Sequence, residues 1–212
     1  EDYAHLHVEK NGGAMIRRHN HLQGLVVHMG REAGTPSFVL ATNEVINPDV
    51  DSRMIPDVRI AGFDPAQGAS IRDIDISFCA VNLGSAHART PTAIVKNREE
   101  SKKRKYRQLY DMDDGSFGAF VMSTSGGFGE DAIKIVKDVA GAAAELTGVS
   151  RSSFTSRWRK ILSCGLARAQ FEYLRASCAV FRGTLAHGSN LSPFDDSVVD
   201  AGEFLDFGEV GD

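Results

Sequence analysis

Two short segments alternate carboxylates with apolar residues: "PDVRIAG" (56–62) and "IRDIDISFCA" (71–80). In extended chain, successive side chains point to opposite faces. Asp73, Asp75 and Ser77 then share one face and Ile74, Ile76 and Phe78 the other, while Asp57 and Arg59 lie opposite Val58 and Ile60. The intervening "DPAQGA" carries the Asp-Pro and Gly of a turn, so the two segments read as a hairpin. A turn centred near Ala66 places Asp57 across from Asp75, and a register two residues tighter places it across from Asp73. Like charges opposed across a ladder destabilise it unless something neutralises them. A hard cation such as Mg²⁺, held by one or two carboxylates plus waters and phosphate oxygens, would do so. The plainer reading is an acidic sheet face turned to water.

The stretch "REESKKRKYRQLY" (98–110) is dense in Lys and Arg within an acidic chain. At about 100° per residue, Lys102 falls on one narrow helical face with Val95, Tyr106 and Leu109, while Lys103, Arg104 and Arg107 point to the sides and back. Lys102 is thus the inward lysine. Such a residue either snorkels past the core or reaches the carboxylates, where its charge balances them and can orient or activate a water.

These residues need a frame, and periodicity supplies one. "AMIRRHNHLQGLVVHMGREAG" reads as a first helix through Ile16, Leu22, Val26 and Met29, followed by a strand "SFVLAT" and a polar loop "NEVINPDVDSR". After the hairpin come a helix from Thr92 to about Tyr110 and a strand "SFGAFVMSTS" closed by Gly126 and Gly127. Two further helices follow, "EDAIKIVKDVAGAAAEL" and the long "SRSSFTSRWRKILSCGLARAQFEYLRASCAVF", with a bend expected at Gly165. Strands flanked by helices give an α/β class.

At 212 residues and 42% hydrophobic, the chain can bury one substantial core. No apolar run approaches the roughly 20 residues that span a bilayer, and "EDYAHLHVEK" lacks the pattern of a signal peptide, so no membrane partner is expected. The cysteines, Cys79, Cys164 and Cys178, are odd in number and far apart, which suits a reducing, intracellular compartment better than a disulfide framework. From Leu185 to Asp212 there are seven acids and no Lys or Arg, so the net charge of −4 conceals a mildly basic body. Two regions follow: a globular domain over 1–184 and an acidic flexible tail over 185–212.

The order Arg18-His19-Asn20, Pro56-Asp57, Asp75-Ile76-Ser77-Phe78, Lys102 with Tyr106, and Gly126-Gly127-Phe128-Gly129 after Gly12-Gly13 resembles the PD-(D/E)xK restriction-endonuclease-like domain. It is most similar to the version at the C-terminal end of reverse-transcriptase open reading frames in eukaryotic non-LTR retroelements, over roughly residues 12 to 180. The resemblance implies a mixed sheet flanked by helices, with C-terminal helices, and a Mg²⁺- or Mn²⁺-dependent DNA endonuclease. It makes Asp57 and Asp75 metal-binding carboxylates, with Asp73 as the alternative to Asp75, and Lys102 the catalytic lysine. His19 and Asn20 would help hold the metal, a water or a phosphate. Ser77 stands where the standard motif has its lysine, consistent with migration of the lysine to a helix and also with lost activity. Relatives often carry a zinc knuckle upstream; here His5 and His7 have no cysteine beside them, so zinc is not expected from these residues.

Arg17, Arg18, Lys103, Arg104, Lys105, Arg157 and Arg159 are the candidate backbone-phosphate contacts. Expected partners are DNA, RNA as a further candidate, and a reverse transcriptase domain of the same polyprotein, of which a chain starting at Glu1 would be a piece; the expected location is nuclear. Two other readings stay open: a nuclease fold that has become a nucleic-acid-binding or assembly module without catalysis, and a structural protein whose lysine-rich helix and acidic tail make protein contacts.

Overall fold

The expected periodicities are realised in the computed structural model, which describes residues 14–40, 55–62, 71–80, 90–110 and 115–186. The Gly12-Gly13 pair, His5, His7, the polar loop, the hairpin turn and the acidic tail from 187 lie outside the described residues. The chain divides into two units, Glu1–Ser177 and Cys178–Asp212, and every contact below belongs to the first.

The elements run α1 (Ala14–Glu32), β1 (Ser37–Val39), β2 (Val58–Ala61), β3 (Ile71–Cys79), α2 (Pro91–Tyr106), β4 (Phe117–Ser123), α3 (Glu130–Thr147) and α4 (Arg151–Ala186). They form a mixed α/β structure around a sheet of order β1-β2-β3-β4. β1 with β2 and β2 with β3 are antiparallel, whereas β3 and β4 are parallel. Parallel neighbours need a crossover, and α2 supplies it. Thr90 caps its start by accepting from the Ala93 N–H at 3.2 Å, ahead of Pro91 in the first turn.

The hairpin pairs Val58 with Ile74 and Arg59 with Asp73, the register of a turn centred near Ala66, which brings Asp57 level with Asp75. Val58, Ile60, Ile74 and Ile76 enter the main core with Phe120 and Met122 of β4, beneath Leu22 and Val26 of α1, Val136 and Val139 of α3, and Trp158 and Leu162 of α4. The opposite sheet face does not meet water as the plainer reading had it. α2 lies over it, packing Val95 and Tyr106 on Phe117, Ala119 and Val121.

Two glycines are explained by close approach. α3 starts at Gly129 without a side-chain cap of its own. Glu99 of α2 instead accepts the Asp131 N–H at 3.0 Å, and its carboxylate fills the place a Cβ at Gly129 would take. Burial raises the Glu99 pKa, against the pull of that N–H. Gly165, where a bend is expected, lies within one continuous helix, α4. A Cβ there would strike Leu25 and crowd the His21 ring, so the glycine lets α1 and α4 approach. Alanine is favoured over glycine by about 1 kcal/mol inside a helix, whereas overpacking costs about 1–3 kcal/mol. Gly165→Ala is therefore expected to destabilise, seen as a lower denaturation midpoint at unchanged m; a raised midpoint would mean that the contact does not matter.

Candidate active site

Asp57 stands immediately before β2 and Asp75 is the central residue of β3, side by side on the α2 side of the sheet. One Asp57 oxygen, Oδ2, accepts the Ile76 N–H at 2.6 Å and faces His19 Nε2 at 3.2 Å. The Asp57 carbonyl accepts from Gln23 Nε2 at 2.9 Å, so α1 holds this residue through two side chains. The hydrogen bond to Asp57 raises the His19 pKa against the opposing effect of burial, and the exposed Asn20 adds a weaker hydrogen bond in the same direction.

Asp75 is 4% exposed. Its Oδ1 accepts from the Tyr106 hydroxyl at 2.8 Å, and its Oδ2 faces Lys102 Nζ at 2.6 Å. The ammonium neutralises Oδ2 by charge without hydrogen-bond alignment, so this oxygen is buried with no aligned donor. The Tyr106 hydroxyl also lies 3.0 Å from the Ile55 carbonyl, and its single proton serves one acceptor at a time. Burial first, then the charge of Asp75, push the Tyr106 pKa far up, so the hydroxyl remains a donor.

Asp73, which the sequence left interchangeable with Asp75, is differently placed. Arg59 grips it with two bonds, Nε to Oδ1 at 2.7 Å and Nη2 to Oδ2 at 2.8 Å. The Tyr110 hydroxyl donates to Oδ2 at 2.6 Å. At 2% exposure and with three donors, Asp73 ties β2, β3 and the end of the α2 segment together. Further along the strand, Ser77 Oγ accepts from Arg98 Nε at 2.7 Å. Arg98, Lys102, Tyr106 and Tyr110, each four residues after the last, thus meet Ser77, Asp75, Asp75 and Asp73. That spacing was readable in the sequence, yet Arg59, Arg98, Gln23 and Tyr110 were not singled out by it.

The candidate phosphate contacts separate into groups. Arg17, Arg104 and Lys105 are exposed, and Lys105 Nζ sits 4.8 Å from the centre of the Tyr106 ring. Arg18 is corrected from surface to interior: it is 4% exposed, donates to Gln170 Oε1, and lies over the rings of Phe78 and Tyr173. Burial lowers its pKa. The reason is helical phase, since Arg18, Leu22 and Val26 follow one another at four-residue steps along the packed stripe. Lys103 pairs with Asp131 at 2.7 Å, joining α2 to α3. Arg157 pairs with Glu32, which lies about 20 Å of helix away from His19. Arg159 is exposed, 5.6 Å from the Phe128 ring.

Among the described residues no three His, Cys, Asp or Glu side chains gather as a metal site, and no helix is long and apolar enough to cross a membrane. No protein-family model, curated protein or solved structure matches the chain.

Proposed function

We propose that the chain is a restriction-endonuclease-like domain that hydrolyses phosphodiester bonds of DNA with a divalent metal, as the retroelement-associated domains it resembles do. The observation that carries this reading is the level pairing of Asp57 and Asp75 with Lys102 on Asp75. The order α–β–β–β–α–β, with the last strand parallel to the third, agrees with it.

The residues fit a hard cation: two adjacent carboxylates, one with a buried oxygen that has no aligned donor, are the kind of partial ligand set Mg²⁺ accepts alongside waters and phosphate. Asp57 and Asp75 would hold Mg²⁺ or Mn²⁺, which supplies charge to polarise the scissile phosphate and lower the pKa of a bound water. Lys102 carries three N–H donors, of which Asp75 occupies one direction, and the others orient the attacking water or stabilise the developing negative charge. His19 fixes the Asp57 carboxylate, and Tyr106 fixes that of Asp75. Arg17, Arg104 and Lys105 contribute contacts to backbone phosphates that position DNA without reading its sequence. The partners in this reading are DNA and a reverse transcriptase domain of the same polyprotein, in the nucleus.

Supercoiled plasmid incubated with Mg²⁺, Mn²⁺ or EDTA tests it. Metal-dependent nicking that Asp57→Ala abolishes is the expected result; equal nicking by the variant, or none by either protein, overturns it.

One observation favours a second reading, a nucleic-acid-binding module with no metal requirement. Each carboxylate already has a basic neighbour: His19 for Asp57, Arg59 for Asp73 and Lys102 for Asp75. Arg59 and Lys102 thereby balance Asp73 and Asp75 from within the protein, and His19 hydrogen-bonds to Asp57. This reading predicts retarded plasmid without nicking under every metal condition.

A further inference from the structure

We propose that Arg98, seated on Ser77, forms a phosphate-binding site beside the Asp75–Lys102 pair and takes one backbone phosphate of a bound DNA strand. The proposal rests on the nucleic-acid reading of the site and not on its catalysis. Residues two apart on a strand share a face, as do residues four apart on a helix, so Asp75 and Ser77 meet Lys102 and Arg98 on neighbouring rungs. Arg98 therefore stands one rung along the same polar face from the carboxylates.

Its partner sets it apart from the other cations there. Arg59 and Lys102 meet carboxylates, and Lys103 meets Asp131. Ser77 offers a neutral hydroxyl, so it orients the Arg98 guanidinium without cancelling its charge. The neighbouring Glu99 does not cancel it either, because that carboxylate is turned inward onto the start of α3. Ser77 is buried while Arg98 is exposed. The Nε–H is engaged by the buried hydroxyl, and the two Nη groups remain as a fixed fork of the geometry that binds phosphate. A long cation normally loses side-chain entropy on docking; the Ser77 bond has already restricted this one.

The test is binding of a short DNA duplex in EDTA across a range of salt, by wild type, Arg98→Gln, Arg98→Lys and Ser77→Ala. Removing one phosphate contact reduces the slope of log K against log salt by about 0.9. Arg98→Gln, which can keep the Ser77 bond and the fold, is expected to show that loss with an unchanged thermal midpoint. Arg98→Lys should keep the slope and bind more weakly, and Ser77→Ala should also weaken binding at an unchanged slope. An Arg98→Gln slope equal to that of wild type, or wild-type binding with no salt dependence, overturns the proposal. Because no metal is present, a failure of nicking would strike the nuclease reading alone and leave this result standing.

Discussion

Lys102→Ala is expected to slow single-turnover, metal-dependent nicking by about 10²- to 10³-fold, the range seen when one charge-stabilising donor leaves an active site. The same substitution uncovers a second effect. Asp75 is a buried carboxylate whose Oδ2 has the Lys102 ammonium at 2.6 Å and no aligned donor. Removing one partner of a buried pair costs about 3–5 kcal/mol, so in EDTA the variant should melt well below wild type. A divalent cation held by Asp57 and Asp75 takes over part of the neutralisation. Mg²⁺ should therefore raise the melting temperature of Lys102→Ala more than that of wild type, since ligands that bind only the folded state stabilise it. Equal Mg²⁺ shifts in the two proteins, with nicking retained, would remove Lys102 and the metal from the site together.

Asp73→Ala is expected to act on stability far more than on chemistry. It removes the acceptor that the Arg59 guanidinium and the Tyr110 hydroxyl hold through three bonds of 2.6–2.8 Å. Arg59 is a quarter exposed and recovers some hydration, so a loss of about 3 kcal/mol, the low end for a broken buried pair, is expected in urea denaturation. Nicking measured below the midpoint, where the variant is folded, should stay within a few-fold of wild type. Near-complete loss of nicking with stability intact would instead make Asp73 a metal ligand.

Alternation and helical phase carried much of this arrangement in the sequence. They separated the polar and apolar faces of β3, offered the register that is found, and turned Lys102 inward. Other features lie outside that pattern because an inward position need not be apolar. Arg18 lies on the buried stripe of α1, but its partner Gln170 is 152 residues away, and no local pattern announces a buried guanidinium bonded from such a distance. The acid-bearing sheet face looked suited to water because its cover, α2, presents Arg98, Lys102 and Tyr106 to it and is itself only weakly amphipathic. Gly165 reads as a weak point in a helix, whereas the space it leaves is taken by the side chains of α1. Each of these depends on what packs opposite, which one segment cannot reveal.

The meeting of α2 with β3 also decides where along the strand a reactive group can be. Taken alone, β3 is nearly degenerate, since Asp73, Asp75 and Ser77 repeat one orientation at equal intervals. The helix breaks that symmetry, even though its four-residue step of about 6 Å nearly matches the two-residue step of about 6.6 Å along the strand. The α2 segment nonetheless sends four side chains, Arg98, Lys102, Tyr106 and Tyr110, to three strand positions. Asp75 is the shared one, with Lys102 on one oxygen and Tyr106 on the other. The site is thus specified by the helix rather than by the strand: the carboxylate that receives two side chains of α2 is singled out from neighbours that share its orientation.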